Sequence, residues 1–206
     1  MAAVDYGGSS PPAYPVAEDY SIGLPPALSR CQQVVAVTVR LPEFLLAAAG
    51  LMQRLDAAGV SISLLELAVL DTRAERAARS ALSSLALVRL DRSRLGLPAS
   101  FGLECADVVV AAISELIGFD PEPGVCCLVP AVGDGSQPSH QAVAEAAKVI
   151  ANAYRRVQLI RFSVGPSART AEIVLEPREW QRKCDALTAC ATAVTPLCGG
   201  REFIGA

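Results

Sequence analysis

Histidine occurs once in this chain of 206 residues, at His140. Aromatic side chains make up only 5% against 52% hydrophobic residues, so a core has to be assembled from alanine, valine, leucine and isoleucine. Such a composition favours helices laid on a sheet. Charged residues are 19%, the formal net charge is -3 and the basic residues are scattered, which argues against a nucleic-acid partner. No apolar run reaches the roughly 18 to 20 residues needed to cross a bilayer; "FLLAAAGLM", Phe44 to Met52, is cut off by Gln53 and Arg54. The seven cysteines (31, 105, 126, 127, 184, 190, 198) contain no C-x-x-C spacing, and their number is odd. That usage fits a reducing, cytoplasmic setting better than a disulfide framework.

What is present suits one domain of about 150 to 200 residues. Residues 1–30, rich in Gly, Ser and Pro, read as a disordered arm; they show neither the basic n-region nor the apolar h-region of a signal peptide. The domain is expected over 31–195, with 196–206 as a tail. Val34 to Val39 ("VVAVTV") predicts a strand buried on both faces. Glu43 to Ala58 has apolar residues at three- and four-residue steps and predicts a helix closed by Gly59. A strand over Val60 to Leu70 and a helix over Thr72 to Leu87 follow, then a loop around Pro98. Beyond it come a helix over Cys105 to Ile117, a buried strand over Val125 to Pro130 and a helix over Ser139 to Arg155. Two more strands, in "VQLIRFSV" and "AEIVL", precede a last helix from Pro177. The alternation predicts a single doubly wound α/β domain, a mostly parallel sheet with helices on both faces.

Ligands of such sheets bind beyond the carboxyl ends of the strands. Two segments fall there, "VRLPEF" (39–44) and "PAVGDGSQPSH" (130–140), and a site should combine them. Taken alone, His140 reads as an ordinary first-turn histidine, since one imidazole without partners makes a poor metal site. Ser136 and Ser139 suit turn and helix-cap roles better than a nucleophile role. Arg40 and Glu43 read either as a solvated charge pair or as a pair in which Glu43 neutralises an Arg40 that fills a pocket. Cys126 and Cys127 suit a buried strand, and Cys190 is a candidate pocket-edge thiol.

Five pieces in order carry a resemblance: "GDGSQPSHQAVAEAA", with Asp134, Gly135, Pro138, His140 and Ala142 matching D-G-H-P-D-H-R-A; "LMQRLDAAG" with "VSISLLEL"; "RLGLPAS"; and "WQRKCDALTAC". Over about residues 33 to 194 the chain resembles the PIG-L/LmbE metal-dependent N-deacetylases. The resemblance implies a Rossmann-like fold and a zinc or similar ion held by the His and second Asp of a P-H-P-D-D-E motif and by the last His of the second motif. It also implies that the first Asp of the pair accepts a proton from a metal-bound water. Carried onto this chain, that motif falls on Arg40, Pro42, Glu43 and Phe44. No catalytic base is retained, and the remaining metal-ligand positions are His140 and Glu43. Arg40, Asp134, Ser139 and Arg73 are the implied pocket residues, and Ala99 stands where the family has a sugar-binding Asp. Two functional classes follow: a ligand-binding or partner module for a sugar or glycosylated metabolite, without hydrolysis and without metal, or a metal-dependent hydrolase of N-acyl groups with a rearranged site. A homo-oligomer or protein partner is compatible with both; a membrane is not part of either.

Overall fold

The structure, a computed structural model, describes residues 24, 28–132, 137–164, 171–190 and 201–205. In chain order the described elements are β1 (Gln33–Thr38), α1 (Leu41–Ala57), β2 (Ser61–Ala68), α2 (Thr72–Leu85), β3 (Leu90–Leu97), α3 (Ala106–Ile117), β4 (Val125–Pro130), α4 (Pro138–Ala153), β5 (Gln158–Ser163), β6 (Ala171–Val174), α5 (Pro177–Ala189) and β7 (Arg201–Gly205). They form one seven-stranded sheet in the order β3-β2-β1-β4-β5-β7-β6. The first five strands pair in parallel, and β7 runs antiparallel between β5 and β6. This is the expected doubly wound architecture.

Both faces of the sheet are covered, and the alternation along β1 shows how. Val34 and Ala36 join the core beneath α1, α2 and α5, while Val35 and Val37 join the core beneath α3 and α4. A strand buried on both sides has no polar alternation to display, which is why "VVAVTV" and "VCCLVP" read as continuous apolar runs. Cys126 and Cys127 divide between the two cores in the same way, and burial pushes the Cys127 thiol up to about 12. No helix among the described residues is long and apolar enough to cross a membrane.

Two segments differ from expectation. "RLGLPAS" belongs in part to β3 rather than to a loop: Leu90–Leu97 pairs with β2. Its residues alternate between half-buried and exposed positions, and its charged members disguise it. An edge strand carries charge because its outer side meets water. Arg201–Gly205, expected within a tail, is a strand inside the sheet. Of the expected disordered arm, 1–30, residues 1–23 and 25–27 lie outside the described residues, while Leu28 is buried in the core against which α1 packs.

Strand β7 is anchored by chemistry as well as by pairing. Its Glu202, fully buried, accepts hydrogen bonds from the Gly50 and Leu51 backbone N–H groups of α1, both at 2.7 Å. It also meets Lys183 Nζ of α5 at 2.8 Å, and the same ammonium donates to Leu46 O at 2.6 Å. Leu46 O and the Gly50 N–H, which a regular helix joins to each other, are thus both engaged by one buried ion pair. Gly50 also leaves room for Leu175: a Cβ there would run into both of its methyls, 2.9 Å from Cδ1. Helix propensity favours Ala over Gly by about 1 kcal/mol, but overpacking a core costs about 1 to 3 kcal/mol. Gly50→Ala is therefore expected to lower stability by about 1 kcal/mol in urea unfolding. A gain would show that Leu175 moves aside freely.

Candidate functional site

The chain leaves β3 at one edge of the sheet and re-enters at β4, on the far side of β1, so the winding reverses between β1 and β4. The first turns of α1 and α4 meet over that point. Arg40 is the extended residue before α1 (φ -139, ψ 136) and Pro42 lies in its first turn. Gln137 occupies the same place before α4, followed by Pro138. Proline suits the start of a helix, where its missing N–H has no partner to lose. Counted from these caps, Glu43 and His140 each stand third in their helix. His140 Nε2 is 3.0 Å from Glu43 Oε2, with the His side chain 20% and the Glu side chain 34% exposed. An ionised carboxylate only accepts, so Nε2 donates, and a neutral ring then keeps Nδ1 as an acceptor. The Glu43 carboxylate also sits favourably in the first turn of its helix.

The pair borders a cleft of about 280 Å³, with Thr38 and Glu43 on one wall, Pro130, Ala131 and His140 on another, and Phe162 and Ser163 closing it. Phe162 packs edge-on against Phe44, ring centres 5.5 Å apart and planes at 82°. Thr38 donates its hydroxyl to Arg40 O at 2.9 Å, which ties the β1–α1 turn. Such a cleft offers a carboxylate acceptor and an imidazole beside an apolar wall, a setting for hydroxyl and amide groups of a small molecule.

The structure brings together two of the residues singled out in the sequence and separates the rest. Glu43 and His140 touch. Arg40 does not pair with Glu43; it turns to a second hollow, of about 200 Å³, on the other side of the β1–α1 turn. The reason is local: Glu43 has entered the helix, while Arg40 still has strand-like backbone and projects differently. Ser139 is buried and lines neither hollow; the cap of α4 is Gln137, not a serine. Arg73 is exposed on α2 and lines neither hollow. Asp134 lies outside the described residues. Missed in the sequence were Thr38, Phe162 and Ser163, although all three stand at carboxyl ends of strands. The strand-end rule finds them once β5 is recognised as the neighbour of β4.

The start of α1 is held from below by a charge cluster. Glu66 of β2, wholly buried, accepts from the Leu41 N–H at 3.4 Å and pairs with Arg92 of β3. Arg92 in turn meets Glu75 of α2 at 3.0 Å. Its hydrogen bonds with Glu66 and Glu75 hold the Arg92 guanidinium above its ordinary pKa despite burial.

Zinc, implied by the resemblance, needs three protein ligands in a catalytic site. Two ligands of a tetrahedral zinc lie about 3.3 Å apart, so the His140–Glu43 spacing is compatible with two corners. The third fails: Arg40 occupies that motif position, and a guanidinium has no lone pair to give. No cluster of three His, Cys, Asp or Glu suited to a metal occurs among the described residues. The described donor set does not fit a catalytic zinc.

No protein-family model and no curated protein matches the sequence. Solved structures do match. A conserved protein of Thermus thermophilus aligns at 19% identity and TM-score 0.61, covering 79% of this chain and 80% of its own. The N,N'-diacetylchitobiose deacetylase of Pyrococcus horikoshii aligns at 10% identity and TM-score 0.61, covering 84% of this chain and 74% of its own. The 4-carboxy-2-hydroxymuconate hydratase of Pseudomonas putida aligns at 14% and 0.55, covering 79% and 80%. At these identities the likeness is one of fold, and a hydratase shares it with a deacetylase. The chain has the α/β fold of PIG-L/LmbE type, as the motifs in its sequence implied.

Proposed function

We propose that the chain is a ligand-binding protein built on the deacetylase fold, whose cleft at Glu43 and His140 takes a sugar or glycosylated small molecule without hydrolysing it. The observation that supports this most is the position of Arg40. The residue standing where the motif has a metal-binding His faces away from the cleft and cannot ligate, and the expected base is Pro42. Glu43 and His140 then serve recognition, as carboxylate and imidazole partners for hydroxyl and N-acyl groups. A deacetylase acting on diacetylchitobiose shares the fold, which suggests N-acetylated sugars as first ligands to try. The described cysteines are free, in keeping with a cytoplasmic setting.

The test uses protein purified without a histidine tag. Its single histidine gives one imidazole signal by NMR, an unambiguous reporter of the cleft. A panel of N-acetylglucosamine-type compounds should shift that signal, and Glu43→Gln should weaken binding by about tenfold, the worth of a hydrogen bond to a charged group. With added zinc, amine release should not exceed the protein-free control. Release that needs metal and disappears in His140→Ala, or stoichiometric zinc lost in Glu43→Gln, would overturn the proposal in favour of an active N-acyl hydrolase with a rearranged metal site.

A further inference from the structure

The second hollow lies across the β1–α1 turn from the cleft, between the start of α1 and one face of α2. Its walls are chiefly apolar: Pro42, Leu70, Ala74 and Ala77, with the half-buried Cys190 at the end of α5. Two charged side chains also line it, and they are not equivalent. Glu66 is wholly buried and spent, held by Arg92 and by the Leu41 N–H. Arg40 is exposed and has no ion pair among the described residues. An open apolar hollow whose one charge without an ion pair, among the described residues, is a guanidinium is complementary to a molecule with an apolar body and a carboxylate end.

Size narrows the class. An apolar cavity of about 150 Å³ is enough to hold benzene, and this hollow has about 200 Å³, room for an aliphatic body of roughly six to eight carbons. We propose that the hollow between α1 and α2 is a binding site for a medium-chain aliphatic carboxylate, with Arg40 holding the carboxylate and the α2 alanines and Leu70 enclosing the chain. Cys190 is a wall of this site and not its nucleophile, since burial and the nearby Glu66 hold its thiol above the ordinary range. The site does not depend on what the cleft at His140 binds, and the two are separated by opposite sides of one turn.

Octanoate and its neutral counterpart 1-octanol, titrated into the full chain by calorimetry, test the proposal, with alkylation of each cysteine followed by peptide mass spectrometry. Octanoate should bind as one equivalent and octanol about tenfold more weakly; Arg40→Gln should bring octanoate down to octanol. Octanoate at ten times its Kd should slow Cys190 alkylation about tenfold by simple occupancy, leaving Cys105 and Cys184 unchanged. Ala74→Leu keeps a good helix former and fills the chamber, so it should abolish binding while the thermal midpoint holds. Equal binding of acid and alcohol, undisturbed Cys190 alkylation at saturation, or full binding in Ala74→Leu would each overturn the proposal. Binding that survives Arg40→Gln but is lost in His140→Ala would move the ligand to the other cleft and overturn it too.

Discussion

Lys183→Met is expected to destabilise the protein by about 3 to 5 kcal/mol at pH 7, because it leaves Glu202 as a buried charge without its cation. For a chain of this length that is a fall of about 6 to 20 °C in the thermal midpoint. Restoring charge balance by removing the partner as well, in Lys183→Met/Glu202→Leu, should recover most of the loss, since apolar replacement of a whole buried pair is often neutral. The loss should also depend on pH in a definite sense. Burial raises the Glu202 pKa and Lys183 opposes the rise; without Lys183 the folded-state value climbs further. The unfolded value is about 4.3. A group whose folded pKa is raised loses stability as pH rises from the unfolded value through the folded one. The deficit of Lys183→Met relative to the parent protein should therefore be full at pH 7 and shrink towards pH 5. Urea unfolding at the two pH values measures it, and a deficit that is below about 1 kcal/mol, or the same at both, would rule out this account of the pair.

Phe44→Ala is expected to cost about 3 to 5 kcal/mol. Phe44 is 1% exposed and meets Phe162 edge to face, an arrangement that adds about 0.5 to 1.5 kcal/mol to the area buried. Phe44→Leu retains much of the volume and should lose roughly half as much. Because Phe162 walls the cleft, the alanine variant should also broaden or shift the His140 imidazole signal, whereas the leucine variant should leave it near its original place. A cost of Phe44→Ala no greater than that of Phe44→Leu would mean that the buried volume contributes nothing and that the ring pair carries the whole effect.

Much of the fold could be read from the residues because parallel strands covered on both sides announce themselves as apolar runs. That holds for "VVAVTV", "VCCLVP" and the strand from Ser61. It fails at the edges. The β3 sequence "LDRSRLGL" alternates without a clear apolar face, and "REFIG" contains a Glu that looks solvated until Lys183 and the α1 backbone are seen around it. The meeting of Glu43 with His140 was legible from two loops placed at the carboxyl ends of neighbouring strands. The parting of Arg40 from Glu43 was not, because three residues of separation says nothing until one knows that the helix begins between them. The second hollow was illegible for a related reason: its walls come from α1, α2 and the end of α5, and only Arg40 and Cys190 carried a sign of it.

The bond between Gly50 and Glu202 spans 152 residues of chain, and this sets a clock on biosynthesis. At ribosomal rates of about 5 to 20 residues per second, α1 waits roughly 8 to 30 s for the carboxylate that its backbone amides will hold. For the last roughly 2 to 8 s of that interval, from Ser163 to Arg201 at the same rates, β5 is an open strand edge, the kind of surface that recruits foreign strands. A nascent chain stalled before Arg201 would remain in that condition. The last five described residues thus act as a late clasp, and the period before they emerge is when this protein is most exposed to misassembly.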